Sequence, residues 1–398
     1  MKLLIPLFSP ATGTWGGLTR VIAIADAARQ TGHKVAFCAS GYLKTTLEQR
    51  GYQVYPVPDS TFFGLPQPLS RLIEKRSQTA ALPVKPGRDF GNIWFVLLFS
   101  GMARGGYLKR VVAAEMAAAR DFGATTIFTD LDPGAFLLAR LTGLPIAAAY
   151  QSPLAAGIDT LPWKLMNNAF NQVLRSHKLP ACRVETLFHG PQVLKLIPSI
   201  PELEGIAPDR PDVCYLGSLI GAIQPRTDFP LHADQHYVFV YLGTGSVSLN
   251  LAREILPRVF PSGGNQTCLV GAQSLNQVER LENVEFHPYL PADAILPFCD
   301  WTICHGGQNT IIQSLLHGVP LLVFPGPIFE RRFNARKVQE NGAGAMGELP
   351  DFTVAWLKAA FSQQEKYATQ AKRLGQQMSA YGGAAAGIQA LEAWAASH

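Results

Sequence analysis

The chain has 398 residues, a length that suits two domains of about 200 residues better than one. Hydrophobic residues make up 47% of the sequence and charged residues 16%, which excludes a disordered or fibrous chain. The net charge of +5 is uneven, because residues 1–200 carry 21 basic and 11 acidic side chains, whereas residues 201–398 carry 13 and 18. The two halves are therefore expected to bind different molecules.

Other broad classes are disfavoured by the cysteines and the apolar runs. The six cysteines are scattered without C-x-x-C spacing, as expected of reduced thiols in a cytoplasmic protein. The first apolar run lacks a signal-cleavage site, and the longest other run, residues 93–103, is shorter than the roughly 20 residues that span a bilayer. We expect a cytoplasmic protein whose basic first half could make peripheral contact with a membrane. Its basic residues are dispersed without interleaved aromatic residues, so no nucleic-acid partner is predicted.

In the first half, strand-like runs alternate with helical patterns, which predicts a parallel sheet. The predicted strands are KLLIPLF, KVAFCA, TTIFTD and PIAAAY, and the predicted helices are Leu18–Gln30 and GAFLLARLTG. The third strand ends in the run DLD, with Asp130 at the strand end and Asp132 before Pro133. Asp132 is also a typical N-cap residue for the helix that follows.

A second α/β unit is predicted after a stretch rich in proline, glycine and charge. We expect a first Rossmann-like domain over residues 1–205 and a linker over 206–231. A second Rossmann-like domain is expected over 232–365, with C-terminal helices over 366–398 that pack back across the domain join. The fold class is therefore α/β, with two parallel-sheet domains facing a central cleft.

Two turns in the second half have the composition of an anion site. VYLGTGSVS follows a strand and precedes a helix, and it contains Thr244, Gly245 and Ser246. WTICHGGQNTIIQSLLHG places His305, Gly306 and Gly307 between another strand and a helix whose apolar residues repeat at helical spacing. Backbone N–H groups and the positive end of the helix dipole favour a phosphate there, and glycines allow a diphosphate to approach closely. Gln308 and the side-chain donors Asn309 and Thr310 extend this candidate site.

The carboxyl-terminal half resembles the GT-B nucleotide-sugar glycosyltransferases, the group of UDP- and TDP-glycosyltransferases. The resemblance is carried by PYLPADAILPFCDWTICHGGQNTIIQSLLHGVPLLVFPGPIFERRFNARKVQENGAG, residues 288–344, which is similar to the family pattern of a base-binding turn, H-G-G-x-x-T/S, G-V-P, D-Q-x-x-N-A and G-a-G. The first half shares only the alternation of strands and helices. The resemblance implies a GT-B fold and a transferase of class EC 2.4.

The resemblance also implies roles for single residues. Tyr289 and Leu290 would flank the nucleobase, and Ser246, His305, Gly307, Asn309 and Thr310 would hold the diphosphate. Gln313 stands where many relatives have a glutamate on the ribose hydroxyls. Glu330 and Arg331 replace an Asp-Gln pair that reads sugar hydroxyls, so the sugar carries an acidic group or Arg331 braces the diphosphate.

The usual base of the family is absent. The resemblance places a histidine sixteen residues before His33, and this position is Gly17. Three alternatives remain: Asp130 acts as the base with Asp132 beside it; the glycine-rich first loop, with Thr14, Gly16 and Gly17, approaches the sugar or phosphate; or the acceptor ionises without a protein base.

We expect an inverting glycosyltransferase that moves a sugar from a UDP- or TDP-sugar to a hydrophobic acceptor, such as a phenol or an electron-rich aromatic carbon. No metal or other cofactor is predicted, since the helix end and His305 can stabilise the leaving diphosphate. Two alternatives stay open. One is a transferase with a lipid-linked or cell-envelope acceptor at a membrane surface. The other is a catalytically silent nucleotide-sugar-binding partner, or an epimerase.

Overall fold

The computed structural model describes residues 1–8, 15–70, 87–219, 229–231, 235–243 and 245–398. These residues form two seven-stranded sheets covered by helices. The strands of the first sheet are β1 Lys2–Pro6, β2 Lys34–Ala39, β3 Gln53–Pro56, β4 Thr126–Thr129, β5 Ile146–Ala149, β6 Val193–Ile197 and β7 Val213–Tyr215. All neighbouring pairs are parallel, in the order β3-β2-β1-β4-β5-β6-β7.

Helices cover both faces of this sheet because its strands are almost entirely apolar. They are α1 Trp15–Gln30, α2 Gly41–Gln49, α3 Ile93–Phe99, α4 Gly105–Phe122, α5 Pro133–Thr142, α6 Leu161–Ser176, α7 Val184–His189 and α8 Pro201–Glu204. Two hydrophobic clusters, one on each face, form the core of this domain.

The second sheet has the order β10-β11-β9-β8-β12-β13-β14, and β10 alone is antiparallel to its neighbour. Its strands are β8 His236–Tyr241, β9 Gln266–Gly271, β10 Glu279–Leu281, β11 Val284–His287, β12 Cys299–Cys304, β13 Leu321–Val323 and β14 Gly344–Met346. Its helices are α9 Leu249–Val259, α10 Ala292–Ile295, α11 Gln308–Leu316, α12 Phe329–Glu340, α13 Val354–Phe361 and α14 Gln364–Ser379. A last helix, α15 Gly383–Ser397, follows.

The predicted α/β class with two parallel-sheet domains is confirmed, and two expected boundaries need correction. The linker was expected to begin at residue 206, but β7 lies inside that range and pairs with β6, so the first sheet continues to Tyr215. The helices expected over 366–398 divide between the domains. Residues of α14 pack with α11 in the second domain, whereas Ile388 and Trp394 of α15 join the core around α1.

Among the described residues, no helix combines the length and the apolar character needed to cross a membrane.

Candidate active site

Each sheet has one place where its strand order reverses, and the candidate residues lie at these two places. The reversal falls between β1 and β4 in the first sheet and between β8 and β12 in the second. Gly245 follows β8, and His305 follows β12. Asp130 follows β4 and bridges to Leu7 beyond β1. Since ligands of open parallel sheets bind beyond the carboxyl ends at such reversals, both predicted sites are in a suitable position.

Three glycines enclose the imidazole of His305. A Cβ atom added to Gly243 would lie 2.8 Å from His305 Cε1, and one added to Gly307 would lie 2.9 Å from its Nε2. A Cβ at Gly245 would lie 2.6 Å from the His305 Cβ. The two turns that the sequence predicted separately therefore pack on one side chain, and a larger residue at any of the three positions would displace it.

The His305 imidazole is neutral at pH 7. Burial lowers its pKa to about 4, and the nearby Arg331 guanidinium acts in the same direction. Its Nδ1 atom is buried without a hydrogen-bond partner among the described residues. A neutral imidazole can donate one N–H to a phosphate oxygen. His305 would therefore contribute a hydrogen bond to an anion site, without a positive charge.

The backbone between His305 and α11 is fixed by contacts with α12. Gly306 has φ +88°, and a Cβ there would lie 2.9 Å from the Arg331 carbonyl oxygen, so only glycine fits without strain. The buried Asn334 donates from Nδ2 to the Gly306 oxygen at 3.0 Å. This bond turns the carbonyl of Gly306 toward α12, which positions the turn that enters α11.

The other donor-side candidates lie around this turn. Ser246 Oγ donates to the Phe324 carbonyl at 3.2 Å, and Thr244 lies outside the described residues. Asn309 and Thr310 occupy the first turn of α11, with Thr310 buried. Backbone N–H groups of a first helical turn lack partners within the helix, so α11 opens with donors that an anion can use.

The base-flanking candidates differ in exposure. Tyr289, in the loop after β11, is 65% exposed, whereas Leu290 is buried in a hydrophobic cluster of the second domain. An exposed aromatic ring beside a cleft can stack on a planar base.

Gln313 has a fixed orientation. Its Nε2 donates to Asp293 Oδ1 of α10 at 3.0 Å. A carboxylate only accepts hydrogen bonds, so the amide nitrogen of Gln313 faces Asp293 and the amide oxygen faces away. Burial raises the pKa of Asp293, and the Gln313 bond opposes this rise.

Glu330 and Arg331 lie in the first turn of α12 at the domain junction. Burial raises the pKa of Glu330, the positive charges of Arg20 and Arg331 oppose this, and Asp130 adds to it. Glu330 in the second domain is thus within electrostatic reach of Arg20 and Asp130 in the first. Two cations and two carboxylates face each other across the cleft.

Asp130 is held by α1. Arg20 Nη2 donates to both its oxygens, at 3.0 Å and 3.3 Å, and both residues are buried. A Cβ at Gly17, one turn earlier in α1, would lie 2.6 Å from Asp130 Oδ2. The position where a histidine was expected is therefore in direct contact with Asp130, and glycine there lets α1 approach.

The rest of the first loop gives less information. Gly16 lies in the first turn of α1, and Thr14 lies outside the described residues. His33, the first histidine in the chain, bonds to the amino terminus and to Glu392, away from the cleft.

Part of the chain is similar in sequence to known proteins. Residues 267–393 match the family model of the erythromycin biosynthesis protein CIII-like C-terminal domain. The 4'-demethylrebeccamycin synthase of Lentzea aerocolonigenes is 24% identical over 369 residues, covering 83% of this chain and 84% of that protein. The chain is thus similar in sequence to glycosyltransferases of natural-product biosynthesis, most clearly in its carboxyl-terminal half.

Solved structures show the same GT-B fold along the whole chain. The glycosyltransferase of kitacinnamycin has a TM-score of 0.75 at 18% identity, with 98% of each chain covered. The glycosyltransferase VinC, solved in complex with dTDP, has a TM-score of 0.66 at 17% identity, with both chains fully covered.

Within this GT-B framework, the prediction of Asp132 as a second catalytic carboxylate needs correction. Asp132 is 2% exposed, and its Oδ1 accepts from the backbone of Gly134 at 2.7 Å and of Ala135 at 3.3 Å. It is the N-cap of α5. Burial raises the pKa of Asp132 to about 6, but the carboxyl group faces the interior and Glu115, away from the cleft.

Gln308 also has a different place from the predicted one. Its side chain is 7% exposed and bonds to Arg20, Gln151 and Glu204 of the first domain. It belongs to the contact between the GT-B domains, and its backbone alone lies at the start of α11.

Three structural residues escaped the sequence interpretation. Asn334 was visible in the D-Q-x-x-N-A pattern but received no role. Asp293 places a carboxylate next to Gln313, the position where many relatives have a glutamate. Arg20 carried no local signal, because its partners lie 110 and 288 residues away in the chain.

No cluster of three or more potential metal ligands occurs among the described residues.

Proposed function

We propose that this protein transfers a sugar, with inversion, from a UDP- or TDP-sugar to a hydrophobic small-molecule acceptor. The observation that carries the proposal is the packing of two glycine turns around His305 at the start of α11, opposite Asp130. One strand reversal offers donors for a diphosphate, and the other offers a carboxylate for an acceptor.

On the donor side, the first amides of α11 and the N–H of neutral His305 would bind the diphosphate. The Arg331 guanidinium adds positive charge nearby. Glu330 would accept hydrogen bonds from sugar hydroxyls. Tyr289 would stack on the base, and the outward amide oxygen of Gln313 would accept from the ribose.

In the transfer step, the acceptor oxygen attacks the anomeric carbon from the side opposite the diphosphate. The bond between that carbon and the diphosphate oxygen breaks, and its electron pair leaves on the diphosphate. The acceptor proton passes to Asp130. General-base help of this kind contributes about 10² to 10⁴ fold, and stabilising the leaving group is usually the larger contribution.

Two comparisons support the substrate classes. VinC is described in complex with dTDP, and the relative from Lentzea aerocolonigenes is named 4'-demethylrebeccamycin synthase, which favours a nucleoside diphosphate and a hydrophobic natural product. We propose that no metal is needed, because the α11 terminus and Arg331 would stabilise the charge that develops on the leaving group. Turnover that falls on treatment with EDTA and returns with Mg²⁺ would contradict this part.

The test is nucleotide binding by titration calorimetry, followed by turnover with phenolic acceptors and mass spectrometry. We expect UDP or TDP to bind the wild type, and His305→Ala to weaken binding at least tenfold. His236→Ala is the matched control, because His236 lies at the opposite end of β8 and pairs with Asp300. Absence of binding by both nucleotides, or an equal effect of the two variants, would overturn the proposal.

A further inference from the structure

A buried polar chain joins the two candidate half-sites across the domain boundary. Arg20 Nη2 donates to Asp130, and Arg20 Nη1 donates to Gln308 Oε1 at 3.2 Å. Gln308 is the first residue of α11, the helix whose N-terminus is the proposed diphosphate site. We call Asp130, Arg20 and Gln308 the Arg20 link.

The orientation of Gln308 is fixed from both ends of its amide. Its oxygen accepts from Arg20 and, at 2.5 Å, from Gln151 Nε2. Its nitrogen donates to Glu204 Oε1 at 3.3 Å, and the other Glu204 oxygen accepts from the Ser152 backbone at 2.8 Å. Flipping the amide would place donors against donors, so only one arrangement satisfies all partners.

All members of this network are at most 9% exposed: Arg20, Asp130, Gln151, Glu204 and Gln308. The Gln308 amide has only one orientation that satisfies its partners, which holds this side chain in place, whereas Arg20 Nε has no partner among the described residues. Arg20 in turn holds both oxygens of Asp130 through a single nitrogen, so a shift of Gln308 would be passed to the carboxylate.

We propose that Arg20 is a positioning residue. It holds the Asp130 carboxylate at a fixed place relative to the diphosphate-binding end of α11. This inference rests on the proposed sugar transfer. The Arg20 link aligns the proton acceptor with the donor only when the two domains are in the arrangement seen here. Arg20 acts through Asp130 and has no assigned contact with substrate.

A second interdomain contact provides the matched control. Asp89 of the first domain pairs with Arg332 at 2.7 Å and with Arg336 at 3.2 Å in α12, without touching Asp130 or Gln308. If Arg20 served only to hold the domains together, loss of Asp89 would have the same kinetic effect. Positioning predicts different effects.

The experiment compares Arg20→Gln, Arg20→Lys, Gln308→Leu, the double variant Arg20→Gln/Gln308→Leu, and Asp89→Asn. Each is assayed for kcat at saturating donor and acceptor, for the Kd of the nucleoside diphosphate, and for melting temperature. A misplacement of about 1 Å can cost about 10² fold in rate. We expect Arg20→Gln to lower kcat about 100-fold with Kd changed less than threefold.

Arg20→Lys keeps the charge but cannot reach both partners as a fork, so it should recover part of kcat. Gln308→Leu should lower kcat about tenfold in the wild type and less than twofold in the Arg20→Gln background, because both act through one link. Asp89→Asn should leave kcat within about twofold. The melting temperatures show whether each variant is folded. If Arg20→Gln is poorly folded, Arg20→Lys takes its place in the comparison.

The inference fails if wild-type transfer is measurable and Arg20→Gln keeps its kcat, if the two substitutions are additive, or if Asp89→Asn lowers kcat as much as Arg20→Gln. Absence of nucleotide binding by the wild type would refute the proposed function itself, which separates the two failures.

Discussion

The two strand reversals that face the cleft are built in different ways. At the second sheet, three glycines pack on His305, and these four residues come from two short segments of one domain. At the first sheet, Asp130 depends on Arg20, which is held by Gln308 from the other domain. A backbone site made of turns can form within one domain, whereas a buried carboxylate needs charged and polar partners from wherever the fold supplies them. The site around His305 should govern nucleotide affinity, and the site around Asp130 should govern the rate of transfer.

Asp130→Asn should produce the largest difference between the effect on kcat and the effect on nucleotide affinity. Loss of the proton acceptor should lower kcat by about 10² to 10⁴ fold, while the Kd for UDP or TDP changes less than threefold. Steady-state kinetics and calorimetry measure the two quantities. Asp159→Asn, at an exposed position that pairs with Arg183, is the control. Unchanged turnover would transfer the role to the first loop or to an acceptor that ionises by itself.

A smaller effect in the same direction is expected from Gly17→Ala. The new methyl group would lie 2.6 Å from Asp130 Oδ2 and must push the carboxylate or α1 aside. We predict a fall in kcat of about 10 to 100 fold, with nucleotide affinity nearly unchanged. Gly106→Ala is the control, because this glycine is also in a helix and a Cβ there meets nothing within 4 Å. Equal kinetics for the two variants would show that close approach of α1 is not needed.

The donor side can be tested through the orientation of Gln313. Asp293→Leu removes the acceptor that holds the amide nitrogen, so the affinity for UDP should fall about three- to tenfold, whereas Asp293→Asn keeps an acceptor and should change it less. Gln313→Glu should also weaken binding, since two carboxylates would meet. Gln313→Glu with Asp293→Asn should restore it. Failure of this rescue would separate Asp293 from nucleotide binding.

The last prediction concerns stability, with no effect expected on binding or transfer. Glu115 is fully buried, and its oxygens lack a hydrogen-bond partner among the described residues. Burial and then the Asp132 charge raise the pKa of Glu115 above its ordinary value. A carboxyl group with a raised pKa stabilises the fold below its unfolded pKa and loses this contribution as pH rises. Asp132, with a pKa of about 6, acts in the same direction.

Stability should therefore decline as pH rises from about 4 to above 6, and Glu115→Gln should reduce this decline. At pH 8 the free energy of unfolding should increase by about 1 to 3 kcal/mol, measured by urea denaturation at several pH values. Glu48→Gln, at a partly exposed surface position, is the control. A steeper decline in Glu115→Gln would contradict the assignment.

The parts of the site that are built from neighbouring residues could be predicted from the sequence, and the parts that depend on contacts between distant residues could not. The strand, turn and helix around His305, Gly307, Asn309 and Thr310 could be predicted because consecutive residues specify such a segment, and the binding of an anion there stays a prediction. Asp132 was expected to have either of two roles, and its backbone contacts decide for the N-cap. Gln308 was read as part of the turn, although its side chain turns toward the other domain.

By itself, the sequence determined the α/β class, the alternation of strands and helices, and the glycine turns, since these follow from local periodicity and backbone freedom. The tertiary structure alone decided that β7 extends the first sheet, that α14 stays with the second domain, and that Arg20 joins Asp130 to Gln308. These features depend on contacts between residues far apart in the chain, and side-chain pairing across a domain boundary leaves no periodic trace in sequence.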